Sequence, residues 1–291
     1  MRVITGRTQV VGVMGYPVEH SLSPAMHNAA FEALNMDWIY VPLLTPPESV
    51  QEAIAGLRAM SFRGANITVP LKELIPPLMD ELSEVAKQIG AVNTVCRRED
   101  GSLYGTSTDG IGFLRSLESE RVSVDEELEA VVLGTGGSAR AVANALVQVG
   151  AKVTVVSRHR DRAAQMLWEL GAEAHALQYT DPAVIHAMHT ARVLVNTTPL
   201  GLYPHVEEMP PVPLEGLHPD MLVYDLIYNP PVSRLLREAQ KRGCATMNGV
   251  KMLVYQGAES FRLWTGQYPP VDVMEQVVRK ALGMEFAGQV V

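Results

Sequence analysis

The run GTGGSARA, residues 134–141, places Gly134, Gly136 and Ala139 at the spacing G-x-G-x-x-[G/A]. In a turn that binds a dinucleotide each position has a physical reason. The first glycine permits a tight turn, the second lets backbone approach a pyrophosphate, and the small third residue lets a helix pack close to its strand. Free N–H groups at the start of that helix then face the phosphates. A tight turn without a ligand gives the same string, so the context supplies the specificity. Apolar Ala130–Leu133 precedes the turn, small residues at helical spacing run to Val149, and the next apolar run, Val153–Val156, begins about 20 residues on, as the motif requires. Ser157, Arg158, His159, Arg160, Asp161 and Arg162 follow. A carboxylate closing this second strand would hold a ribose 2′-hydroxyl, whereas arginines attract a 2′-phosphate. As a merely solvated helix start the arginines would oppose the helix dipole. The string therefore favours NADP over NAD.

Four polar strings stand among apolar neighbours in the first third. In HSLSP (20–24) the hydroxyls lie at a helix start, a place suited to hold a carboxylate. Ser23 alone would serve as N-cap and leave Ser21 without a role. In NITVPLK (66–72) a period of two puts Asn66 and Thr68 on one face of a strand that Pro70 ends, with Lys72 just beyond it. Ligands bind at the carboxyl ends of parallel strands, although Lys72 in isolation reads as a solvated surface lysine. In GAVNTV (90–95), Asn93 sits inside an apolar run and needs partners if buried. A structural hydrogen bond and a ligand contact account for it equally well. In GTSTDG (105–110), Asp109 follows a strand and opens a helix, where capping by Thr108 or Asp109 is sufficient by itself.

The elements that must position these residues alternate between short apolar runs and longer helical patterns, the mark of βαβ units and a largely parallel sheet. Strands are expected at Val10–Met14, Ile39–Leu43, Ala65–Val69, Ala130–Leu133, Val153–Val156, Val193–Val195 and Val223–Tyr224. Helices are expected from Ser23, over Leu82–Ile89 with Gly90 as C-cap, and from the glycine turn to Val149, where Gly150 stops the chain. The pattern divides into an α/β domain, residues 1–108 completed by helices in 249–291, and a Rossmann-type dinucleotide-binding domain over 109–248.

Composition narrows the field. The 291 residues are 47 % apolar and 19 % charged, enough to fill a sizeable core. The formal charge of −8 comes with no basic stripe, which argues against nucleic acid. Cys96 and Cys244 are too few for a disulfide framework and show no metal-ligand spacing. His20 and His27 lack a further ligand string, so no metal is expected. The start carries no uninterrupted apolar run like that of a secretory signal, and no stretch of about 18 apolar residues exists to span a membrane. A soluble, cytoplasmic protein is the expectation.

Taken together, GYPVEHSLSPAMHNAAF (15–31), NITVPLK, GAVNT, STDG, GTGGSARA, NTTPLG (196–201), DLIYNP (225–230) and GVKMLVYQGAESFRLWTG (249–266) resemble the shikimate dehydrogenase family. Eight strings in the family's order over almost the whole chain make a specific match. The resemblance implies reversible, NADP-dependent reduction of 3-dehydroshikimate to shikimate in chorismate and aromatic amino-acid biosynthesis, by a monomer or homodimer with NADP as cofactor. By motif position it implies Lys72 and Asp109 as the catalytic pair and Ser21 and Ser23 as carboxylate-binding hydroxyls with Tyr228 nearby. It makes Thr68, Asn93 and Gln256 partners of the substrate's hydroxyls and carboxylate, with Asn66 in support. For the cofactor it implies Gly134, Gly136, Gly137, Ser138 and Ala139 at the phosphates, Ser157, Arg158 and Arg162 at the 2′-phosphate, and Leu226, Gly249 and Met252 at the nicotinamide end. Ser157 and His159 stand where the family often has Asn and Thr, which bears on the adenosine clamp; Leu202 stands where Met is common, and none of the three touches the proposed chemistry. Two rivals remain in view: a quinate/shikimate dehydrogenase of broader substrate or NAD use, and a non-catalytic metabolite-sensing module, against which the presence of both Lys72 and Asp109 counts.

Overall fold

The computed structural model describes residues 3–172 and 175–284. The chain forms two compact units, Met1–Gly112 with Leu253–Val291, and Phe113–Met252.

In the first unit, β1 (Gln9–Gly15), α1 (Ser23–Ala33), β2 (Trp38–Leu44), α2 (Val50–Ala59) and β3 (Gly64–Ile67) form parallel β2-β1-β3. Then β4 (Glu81–Leu82), α3 (Glu84–Ile89), β5 (Thr94–Arg97) and β6 (Leu103–Thr106) extend the sheet to the order β2-β1-β3-β5-β6-β4. Here β5 runs antiparallel to both β3 and β6, so this sheet is mixed, not largely parallel. Met14, Ile54, Leu57, Ile67, Leu71 and Leu103 belong to the apolar cluster that packs against it. Next, α4 (Asp109–Ser119) carries the chain into the second unit.

That unit alternates β7 (Glu129–Leu133), α5 (Gly137–Gln148), β8 (Lys152–Ser157), α6 (Arg160–Glu169), β9 (His175–Gln178), α7 (Ala183–Thr190), β10 (Val193–Asn196), β11 (Leu222–Asp225), α8 (Arg234–Lys241) and β12 (Ala245–Met247). All its strand pairs are parallel, in the order β12-β11-β10-β7-β8-β9. This is the doubly wound dinucleotide-binding order, with its switch point between β7 and β10. Buried Val131, Leu133, Leu194 and Val223 contribute to the core, as continuous apolar strands covered on both faces require. The chain returns to the first unit within α9 (Val250–Thr265), and α10 (Val271–Ala281) packs on α1.

Local chemistry sets several boundaries away from the sequence expectation. The helix expected from Leu82 starts at Glu84, because Ser83 caps it by accepting from Ala86 N at 3.1 Å, while Leu82 pairs with Gly105 in a strand. Gly90 ends it at φ 64°, in the left-handed region where a Cβ is costly. The strand expected over Ala65–Val69 stops at Ile67, so Thr68 lies just past its end instead of within the period-two face. Ser23 is the first helical residue and not the cap; that position falls to Leu22, which has no capping side chain. Among the described residues no helix is long and apolar enough to cross a membrane.

His27, on α1, is fully buried, stacks on Tyr40 at 4.4 Å between ring centroids, and has no hydrogen-bond partner on either ring nitrogen among the described residues. Burial pushes its pKa down to about 3. Below about 6.5 the unfolded chain takes up a proton that the folded imidazole refuses, so acid erodes stability through this window. Urea unfolding at pH 7 and pH 4 should show the wild type losing about 3 kcal/mol relative to His27→Phe. Parallel losses would contradict this.

Candidate active site

Lys72 lies in the turn that leaves β3. Leu71 N donates to Thr68 O at 2.9 Å, and Val92 N donates to Lys72 O at 2.9 Å, so the backbone on both sides is pinned. Its Nζ lies 2.5 Å from Asp109 Oδ2, with side-chain exposures of 14 % and 6 %. A pair this buried loses most of its hydration and persists only if its remaining valences are satisfied. Asn93 does this: its Nδ2 donates to Asp109 Oδ1 at 2.7 Å. Its Oδ1 accepts from Thr108 N at 2.8 Å and Thr94 Oγ1 at 2.9 Å, which fixes the orientation of the amide. Asn93 is itself held between strands, donating from N to Thr106 O at 3.1 Å and accepting at O from Ile67 N at 2.7 Å.

Gln256 joins from α9, its Oε1 accepting from Asn93 Nδ2 at 3.3 Å and its Nε2 donating to Leu253 O at 2.8 Å. Gly112 permits this approach, since a Cβ there would lie 2.7 Å from Gln256 N. Behind these groups Asn66 donates to Ser260 Oγ at 2.9 Å and accepts from Tyr40 OH at 2.9 Å. Ser260 meets Thr94 Oγ1 at 2.8 Å. Thr94, Ser260 and Tyr40 were not legible as site residues, because a lone hydroxyl in an apolar run carries no spacing signal. Ser21 and Ser23 stand together at the start of α1, where Ser23 N donates to Ser21 Oγ at 3.3 Å. Thr68, half-buried, fits against Gly15, where a Cβ would lie 2.3 Å from its methyl. All of these residues, the Lys72–Asp109 pair included, belong to the first unit.

The second unit gathers the residues expected at a cofactor; Tyr228, expected near the substrate carboxylate, also belongs to this unit. Gly134 sits just past β7 at φ +114°, and a Cβ there would lie 2.8 Å from Thr197 Oγ1, across the switch point. Gly136 occupies the N-cap of α5 without a capping side chain, so the N–H groups from Gly137 and Ser138 onward are presented as the turn predicts. Ala139 is fully buried, which keeps α5 close to the sheet. Ser157 closes β8, buried, its Oγ donating to His159 O at 2.7 Å. Arg158, Arg160 and Arg162 are exposed at the start of α6 and form no ion pair among the described residues. Gly249 N donates to Ile227 O at 3.0 Å, and a Cβ on Gly249 would lie 1.9 Å from Leu226 O; Met252, 7 % exposed, follows on α9. A backbone cradle, a helix start without a side-chain cap and three guanidiniums without an ion pair among the described residues fit a dinucleotide with an additional phosphate.

A Rossmann-type unit and, in the same chain, an α/β unit with a buried lysine–carboxylate pair define a two-domain nicotinamide-dependent oxidoreductase. The family model for the shikimate dehydrogenase substrate binding domain matches residues 13–95, and that for the shikimate 5′-dehydrogenase C-terminal domain matches 249–279. The shikimate dehydrogenase (NADP(+)) of Methanothermobacter thermautotrophicus is 43 % identical over 288 residues, covering 97 % of this chain and all of its own. Among solved structures, a shikimate dehydrogenase in complex with NADP+ superposes with a TM-score of 0.88 at 37 % identity, covering 96 % of this chain and 98 % of that one. The Thermus thermophilus shikimate 5-dehydrogenase in complex with NADP(H) and shikimate gives 0.85 at 40 % identity, covering 94 % and 100 %. The chain belongs to the shikimate dehydrogenase family.

Replacing Asn93 by Ala strips Asp109 and the Thr108 N–H of partners in a buried setting. Denaturant unfolding should register a loss of about 2–4 kcal/mol; an unchanged midpoint would contradict this account of the site.

Proposed function

We propose that this protein is a cytoplasmic NADP-dependent shikimate dehydrogenase that reversibly reduces 3-dehydroshikimate to shikimate, with substrate bound by the first unit and cofactor by the second. The single observation that carries the chemistry is the buried contact between Lys72 Nζ and Asp109 Oδ2, whose other oxygen is taken by Asn93.

The hydride for the ring carbonyl carbon would come from NADPH when bound. The carbonyl oxygen becomes an alkoxide, and the Lys72 ammonium stabilises and protonates it; in the reverse direction Lys72 as an amine takes the hydroxyl proton. Asp109 aims the lysine and accepts a hydrogen bond from a neighbouring ring hydroxyl. Ser21 and Ser23 hold the substrate carboxylate at the α1 N-terminus, where the helix dipole favours an anion. The hydroxyl of Ser23 is not consumed as a cap, which supports that role. Thr68, Asn93 and Gln256 bind the ring hydroxyls with neutral donors and acceptors, and Tyr228 assists at the carboxylate. Such a site rejects analogues that lack a hydroxyl, because its buried polar groups would be left unpaired.

On the cofactor side Gly134, Gly136, Gly137, Ser138 and Ala139 form the phosphate cradle. Ser157, Arg158 and Arg162 hold the 2′-phosphate, and Leu226, Gly249 and Met252 face the nicotinamide.

Initial rates read at 340 nm with NADP or NAD, against shikimate or quinate, test the proposal. NADP with shikimate should be the preferred pair, and no absorbance change with that pair would refute it. Arg158→Ala should raise the KM for NADP about 10- to 100-fold, the value of a charged hydrogen bond to phosphate, and leave the KM for NAD unchanged. Equal effects on both cofactors would contradict the assignment of Arg158.

A further inference from the structure

We propose that Asp225 is a positioning residue for the nicotinamide end of the cofactor: its carboxylate ties the ends of β10 and β11 together and so sets the backbone of Leu226 and Ile227 against Gly249. The proposal rests on the cofactor reading above and concerns a residue that does not itself touch the ligand.

Asp225 is the last residue of β11 and is completely buried. Its Oδ1 accepts from Asn196 Nδ2 at 2.9 Å and from Ile227 N at 3.1 Å, and its Oδ2 accepts from Ser233 Oγ at 2.5 Å. Every one of these donors is neutral, and no cation lies among the groups that act on the carboxyl. Burial pushes it up to about 6 against the pull of the three hydrogen bonds. An unpaired carboxylate in such a place is costly, and three neutral donors only partly repay it. Merely ending a strand does not require that cost. What the carboxylate does is join separate segments at the carboxyl ends of adjacent parallel strands, where nucleotides bind in this sheet order.

The links run outward from it. Asn196 Oδ1 accepts from Thr198 N at 3.0 Å and Thr198 Oγ1 at 2.7 Å, so the amide is locked with Nδ2 toward Asp225. Between them lies Thr197, the residue that a Cβ on Gly134 would strike. Leu226 N donates to Asn196 O at 3.0 Å. Ile227, held at N by the carboxylate, accepts at O from Gly249 N at 3.0 Å. One carboxylate therefore fixes the strand-end segment beside the glycine turn, the segment carrying Leu226, and through it Gly249. None of these links reaches Ser157, Arg158 or Arg162, so the 2′-phosphate end of the ligand should be spared.

The test is equilibrium binding to the full-length protein of two probes: NADP+, and 2′,5′-ADP, which keeps the adenosine and its phosphates and lacks the nicotinamide. Asp225→Ala should weaken NADP+ about tenfold, or 1.4 kcal/mol, while 2′,5′-ADP stays within about twofold. Asp225→Asn keeps one acceptor oxygen for Asn196 and Ile227 and should fall between, about threefold for NADP+ alone; it carries the test if the Ala variant does not fold. Equal weakening of both probes means a general loss of structure and overturns the proposal, as does unchanged NADP+ binding. A wild-type protein that binds neither probe defeats the cofactor reading, an outcome distinct from either.

Discussion

A lysine and an aspartate share a buried hydrogen bond in the first unit, and the surrounding structure makes that arrangement tolerable. Two desolvated charges 2.5 Å apart gain attraction but lose water. The balance depends on what occupies the other valences. Asn93 takes Asp109 Oδ1, and Thr108 N and Thr94 in turn fix the Asn93 amide. Asn93 is locked by backbone bonds to Thr106 and Ile67, which explains why the mixed sheet matters. Antiparallel β5 and β6 deliver Asn93 and Asp109 from successive strand ends to the place where Lys72 leaves β3.

The second unit solves a different problem by similar means. A doubly wound sheet leaves a crevice at its switch point, and Gly134 with Thr197 borders it. The glycine is required there by φ and by space together. The guanidiniums at the start of α6 carry no ion pair among the described residues and oppose the helix dipole, a local cost that a phosphate would remove. Both units thus concentrate locally unfavourable features at the ligand sites assigned to them, consistent with the general finding that local rules fail where function resides.

Much of this was legible from residue order. The βαβ turn at Gly134, the left-handed cap at Gly90 and the division into two α/β units with a returning C-terminal helix pair follow from spacing and small-residue chemistry. The mixed first sheet did not, because a four-residue strand such as Thr94–Arg97 reads the same whether its neighbours run parallel or antiparallel. Ser23 followed by Pro24 has the composition of a cap, yet the helix starts one residue earlier and leaves its hydroxyl for other use. The buried network behind Asn93 was out of reach as well. Ser260 lies 166 residues from Thr94, and only folding brings the two hydroxyls to 2.8 Å. Asp225, at the head of DLIYNP, was visible as a polar residue ending an apolar run, with nothing in its spacing to reveal Asn196 as its partner.

Lys72 and Asp109 are held to act as one unit, and a double-mutant cycle measures that directly. Turnover of shikimate with NADP at saturation is compared for the wild type, Lys72→Ala, Asp109→Ala and the double variant. Each single change should lower kcat by about 10²–10⁴-fold, and the double variant should fall little further than the worse single one, since neither group works without the other. Losses that multiply, or a Lys72→Ala variant that turns over normally, would contradict it.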